Sequence, residues 1–111
     1  MALEFIDSTF ESETLATNEV VMIDFWAEWC GPCVAMSPVI DDLAADPLYT
    51  GKVKIGKMNV DHNPITPTKN KVRSIPTILF FKNGKVVEKL VGGASRAMLV
   101  EKIEAALAAE V

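Results

Sequence analysis

Apolar residues run almost without a break from Val20 to Ala27, and the run is rich in β-branched and aromatic side chains. Such a run reads as a central strand buried on both faces. One charge, Asp24, interrupts it. From Pro32 to about Ala45 the spacing changes, with Cys33, Met36, Ile40, Leu43 and Ala44 on one face of a helix. Pro38 inside this pattern is expected to kink the helix and Pro47 to end it. Upstream, Leu3 to Ile6 predicts a short strand, and Ser8 or Thr9 a cap for a helix through about Thr17. Lys52 to Val60 predicts a further strand, in which Gly56 and Met58 break strict alternation and leave the register open. Asn63-Pro64 opens a loop or short helix to about Arg73. Pro76 to Phe81 and Val86 to Val91 flank Lys82-Asn83-Gly84-Lys85, and Asn-Gly between two such runs is the strongest short-range hairpin signal. Gly92-Gly93 breaks the chain, and Ser95 caps a last helix with Leu99, Ile103 and Leu107 on one side.

The order is β-α-β-α-β, a loop or short helix, then β-β-α. It predicts an α/β fold with a mixed five-stranded sheet, parallel in its first half and closed by a C-terminal hairpin, with helices on both faces. The 111 residues fit one domain, 1–111, without repeats or linkers, and suffice for one hydrophobic core. A formal net charge of -4 argues against nucleic acid as a partner, since phosphate binding wants a positive face. No apolar run approaches the ~20 residues of a membrane span, so no membrane association is expected. The start, Met1-Ala2-Leu3-Glu4-Phe5-Ile6-Asp7, is acidic and lacks a charged-then-apolar signal pattern, so a cytoplasmic location is expected.

The candidate chemistry is Cys30-Gly31-Pro32-Cys33, placed where the buried strand ends and the helix begins. Reaction sites in α/β sheets lie at the carboxyl ends of strands. A helix N-terminus offers unpaired N–H groups and about half a positive charge, both of which favour a thiolate at Cys30. Pro32 suits the first helical turn, where its missing N–H costs nothing. Residues three apart on a helix are neighbours, so a disulfide could form and open there with modest adjustment. Cys30 is therefore expected to be exposed and thiolate-prone, with Cys33 shielded beneath it. Three other readings compete. A zinc site would exhaust the Cys and His supply with Cys30, Cys33 and His62, one ligand short. An inert structural disulfide or two idle thiols are the others. Asp24 also asks for a reason, because a buried carboxylate is costly unless paired or protonated, though it could instead face solvent. Taken alone, Lys57 reads as a surface lysine, Pro76 as a trans strand-start proline and His62 as a solvated loop residue. Met22, Met36, Met58 and Met98 read as core filling.

The stretch Asp24-Phe25-Trp26-Ala27-Glu28-Trp29-Cys30-Gly31-Pro32-Cys33 resembles the active-site signature of the thioredoxin family. The resemblance continues through Pro38, Lys57, Asp61, Asn63-Pro64, Arg73, Ile75-Pro76-Thr77, Phe81-Lys82-Asn83-Gly84 and Gly92. It covers essentially the whole chain. It implies a thioredoxin-like fold and a protein-disulfide reductase that needs no cofactor, acts as a monomer on disulfide-containing proteins, and is kept reduced by a thioredoxin reductase. By the same resemblance Cys30 is the nucleophile and Cys33 the resolving thiol. Asp24 is the buried carboxylate that handles the proton of Cys33, with Lys57 as its neighbour. Pro76 is a cis proline facing the disulfide, and Trp29, Gly31, Pro32, Ile75 and Gly92 form a flat docking surface. The chain departs from the family at Val34, usually Lys or Arg, at Asn70, often an aromatic, and in about two extra residues around Asp46–Thr50.

Overall fold

The computed structural model describes residues 2–15 and 17–111. Its spine is β2 (Val20–Trp26), the apolar run of the sequence, with six of seven residues buried. β2 pairs parallel to β3 (Val53–Asn59) on one edge and antiparallel to β4 (Thr77–Lys82) on the other. β1 (Leu3–Glu4) extends the parallel half beside β3, and β5 (Lys85–Val91) returns from the Asn83-Gly84 turn to pair with β4. The order β1-β3-β2-β4-β5 is the mixed five-stranded sheet expected, parallel first and closed by a hairpin.

Among the described residues four helices cover the sheet: α1 (Phe10–Leu15), α2 (Gly31–Ala45), α3 (Ile65–Lys69) and α4 (Arg96–Ala108). Alternation along the strands divides the core. Val20, Met22, Val53, Ile55, Ile78 and Phe80 pack with Met36, Ile40 and Leu43 of α2 and Leu99 and Ile103 of α4. On the opposite face Val21, Ile23, Phe25, Leu79 and Phe81 pack with Phe5 and Met58, and Phe10 of α1 sets its ring edge against Phe81. Asp24 and Lys57 are register partners on β2 and β3. By the same alternation both side chains lie on the α2 face.

Several boundaries differ from the sequence reading for visible reasons. β1 stops after Glu4 because Asp7 is drawn across to α3, where its carboxylate accepts the N–H groups of Ile65 (3.1 Å) and Thr66 (2.8 Å). The helix expected through Thr17 is described as far as Leu15; residue 16 lies outside the described residues. α2 spans Gly31–Ala45 with Pro38 inside it, close to the span expected, and the hydrogen bond that Pro38 forgoes is to the carbonyl of Val34, an exposed residue. Gly56, which left the register of β3 open, has a steric cause. A Cβ there would run into the Phe5 ring and lie 2.7 Å from the Leu3 carbonyl oxygen, so only glycine lets β1 and Phe5 close over β3. The additional residues at 46–50 bury Tyr49 in the α2–α4 core. Asn70 closes α3, donating from Nδ2 to the Thr66 carbonyl at 3.0 Å. Ser95 caps α4 as expected, its Oγ accepting from the Met98 N–H at 3.2 Å.

Candidate active site

β2 delivers the chain to the sheet's carboxyl edge, where Cys30 becomes the N-cap of α2. Its backbone is extended (φ −89°, ψ 104°), and its Sγ accepts the backbone N–H of Cys33 at 3.2 Å. That N–H is one of the orphan donors of a helix N-terminus, so α2 itself stabilises electron density on the Cys30 sulfur. Pro32 occupies the first turn, as its missing donor allows. A disulfide joins Cys30 to Cys33, with the Cα atoms 5.2 Å apart. In this oxidised state Cys30 is 5% exposed and Cys33 1%. Cys30 is thus less open than the sequence suggested, because capping α2 and bonding to Cys33 turn its sulfur inward. Among the described residues, no group of three or more His, Cys, Asp or Glu side chains is placed to hold a metal ion.

Asp24 lies on the sheet face that α2 covers. It is 1% exposed, and neither carboxylate oxygen has a hydrogen-bond partner in the protein. Desolvation pushes its pKa up from 3.8 to about 7, against a weaker opposing pull from the Lys57 ammonium. The solvated alternative for Asp24 is therefore set aside. Lys57 is half-buried rather than a free surface lysine. Its Nζ bonds to Ser37 Oγ, lies 3.5 Å from Asp41 Oδ1, and sits 5.9 Å from the centre of the Trp26 ring.

The residues flanking the cysteines fall into two groups. Trp29 is 71% exposed and is steadied by its Nε1, which donates to Asp61 Oδ2 at 3.0 Å. It lines an open apolar groove with Val60, Pro67, Val72, Arg73 and Ile75. Ile75 precedes a cis peptide bond to Pro76, which is buried. The Pro76 carbonyl accepts the N–H of Gly92 at 2.9 Å. Gly92 has φ +94°, a left-handed conformation that disfavours a side chain. Gly31 and Pro32 are exposed at the start of α2, and Pro32 shares a shallow apolar depression with Val39, Gly93 and Ala94. The structure thus joins Trp29 to Ile75 in one groove and ties Gly92 to Pro76. It sets Pro32 beside the residue after Gly92.

A family model described as Thioredoxin matches residues 2–105. The chain belongs to the thioredoxin family. It is 46% identical over 101 residues to "Thioredoxin 2" of Chlorobaculum tepidum, covering 91% of each chain. It is 45% identical over 103 residues to the thioredoxin of Rickettsia conorii, covering 93% of this chain and 96% of that one. To the chloroplastic M-type thioredoxin of Pisum sativum it is 46% identical over 98 residues, 88% of this chain and 56% of that one. It is a thiol–disulfide oxidoreductase, and its redox pair is Cys30 and Cys33.

Sequence reasoning alone gave no role to Asp61, Ser37 or Asp41 beside this thioredoxin-family site. Asp61 stood only among the matched residues, and nothing in a carboxylate 32 residues from Trp29 points to an indole partner. Ser37 and Asp41 are four apart on α2, a spacing that marks one helix face but not what the face meets.

Proposed function

We propose that this chain is a general reductant of protein disulfides, a cytoplasmic carrier that works as a single domain and a monomer and is recharged by a thioredoxin reductase. In the reduced protein the Cys30 thiolate attacks one sulfur of a target disulfide. A mixed disulfide forms, and the target's other sulfur leaves as a thiolate. Cys33 then gives its proton to the Asp24 carboxylate and attacks the Cys30 sulfur. The second target thiolate is released, the Cys30–Cys33 disulfide forms, and two electrons have passed to the target. The reductase returns those electrons. No other cofactor enters.

The observation that carries this reading is the buried carboxylate on the sheet face beneath α2. A base with a pKa of about 7 is half ionised near neutral pH, matched to accepting a thiol proton there and releasing it again. Among the described residues, Lys57 is the cation that acts on it. Trp29, Gly31, Pro32, Ile75 and Gly92 supply the docking surface, with the buried Pro76 joined to Ile75 by the cis bond, and the apolar groove can receive an extended target segment. Among the described residues no helix is long and apolar enough to cross a membrane.

Insulin-disulfide reduction with a dithiol donor, followed by turbidity, tests the roles. Wild type should turn over. Cys30→Ser and Cys33→Ser should both abolish turnover, and only Cys33→Ser should accumulate a mixed disulfide with the target. A mixed disulfide trapped by Cys30→Ser instead would reverse the two assignments.

A further inference from the structure

Among the described residues Lys57 is the cationic side chain that acts on Asp24, yet the two form no ion pair: both Asp24 oxygens are orphaned while the Lys57 ammonium is engaged elsewhere. It bonds to Ser37 Oγ and lies 3.5 Å from Asp41 Oδ1, one turn apart on α2, with the Trp26 ring beneath it. Asp41 is itself oriented, its Oδ1 accepting the Ala2 N–H at 3.2 Å. A lysine stem is long and free to turn, so an ammonium next to an unpaired buried carboxylate moves toward it unless other groups hold it.

We propose that Ser37 and Asp41 are positioning residues, a clamp on α2 that withholds the Lys57 ammonium from Asp24 and so sets the pH range in which the buried carboxylate accepts a proton. That this proton comes from Cys33 rests on the function proposed above; the clamp itself does not.

The charged and titratable groups around Asp24 are few. β3 contributes Lys57. α2 carries the disulfide of Cys30 and Cys33, and holds Asp41 and the hydroxyl of Ser37 against Lys57. β1 contributes Glu4, exposed beside Lys57 in register. β4 places Ile78 opposite Asp24, and the buried side chains of α4 are Leu99, Ile103 and Ala106. Among the described residues, Lys57 is therefore the cationic group whose movement changes the field at Asp24. Ser37 and Asp41 are the contacts that hold it on the α2 side.

The test follows the Asp24 carboxyl titration by carbon-13 NMR in the disulfide form, where neither cysteine titrates. In Ser37→Ala/Asp41→Asn the ammonium is free to approach, and the Asp24 midpoint should fall by about one pH unit, the low end of what an opposite charge at about 4–6 Å produces. Ser37→Thr, which keeps the hydroxyl, should leave the midpoint in place. In a Lys57→Gln background the same double substitution should move it by less than about a third of that. An unmoved midpoint in the double variant overturns the clamp. So does an equal fall without Lys57, which would mean that Asp41 acts on Asp24 directly through its charge. The pH profile of insulin reduction separates the two proposals. If it shifts with the midpoint, both stand; if the midpoint shifts alone, the clamp stands and Asp24 loses its part in the proton step.

Discussion

Asp24→Asn should make the protein more stable at neutral pH while slowing it. The carboxylate is 1% exposed, its oxygens are unpartnered, and its pKa rises from 3.8 to about 7. A rise of about three pH units at about 1.4 kcal/mol each puts the cost of ionising Asp24 in the folded chain at about 4 kcal/mol. A folded pKa above the unfolded one means that the unfolded state ionises first. The native protein therefore loses stability as pH rises from about 4, and the loss levels off above about 7. An asparagine matches the protonated carboxyl in shape and cannot ionise, so it escapes this loss. It still buries an amide without partners, which costs about 1–3 kcal/mol and is offset in part because the protonated acid suffers a similar penalty. The variant should thus match the parent to within about 1 kcal/mol at pH 4. It should exceed it by about 2–4 kcal/mol at pH 7 to 8. Denaturant midpoints of the two disulfide forms at pH 4, 5.5, 7 and 8 give the comparison, and insulin reduction by the same variant should slow at least tenfold. A variant midpoint at or below the parent's at pH 8, or a difference that does not grow with pH, would refute the view that Asp24 is held in the fold without compensation.

Alkylation of the reduced protein near neutral pH, read by peptide mapping, should label Cys30 well before Cys33, because the α2 N-terminus favours the Cys30 thiolate; labelling led by Cys33 would contradict this. Gly56→Ala should lower stability by about 1–3 kcal/mol, since its Cβ collides with the Phe5 ring and the Leu3 carbonyl; an unchanged denaturant midpoint would show that β1 can shift away freely. Val34 is 51% exposed, so it does not serve as packing between helices, and Val34→Lys should leave stability within about 0.5 kcal/mol. At a distance on the order of 10 Å through water the new charge is worth only about 0.4 kcal/mol to the Cys30 thiolate, so the Cys30 pKa should barely move. Second-order rates with an acidic protein disulfide should rise relative to a basic one, and more so at low salt; an unchanged ratio would refute the electrostatic account.

Elements whose evidence is local were legible in the sequence. The run at Val20–Ala27 gave β2, Asn83-Gly84 gave the hairpin, and Ser95 gave the start of α4, because each signal is contained in a few adjacent residues. The position of Cys30 between strand and helix was legible for the same reason. Misread boundaries trace to partners far along the chain. β1 is short because Asp7 bonds to Ile65 and Thr66, and β3 carries a glycine because Phe5 needs its space. Neither cause has a trace in the local pattern.

The same division runs through the site. Asp24 announced itself as a charge inside an apolar run, but its burial depended on α2 crossing over its face of the sheet. Lys57, taken alone, read as an ordinary surface lysine, because a strand position says nothing about which helix face will lie above it. Ser37 and Asp41 were silent for the complementary reason, since a serine and an aspartate one turn apart on a partly exposed helix read as solvation. Their meaning arises when β3 runs parallel beside β2 in the register that pairs Lys57 with Asp24 and α2 returns over both. Reaction chemistry is thus readable where the reacting atoms are neighbours in sequence, as Cys30 and Cys33 are. The groups that tune it are brought in by topology. In this chain the ammonium that acts on Asp24 is itself held by two side chains whose sequence neighbours give no hint of it.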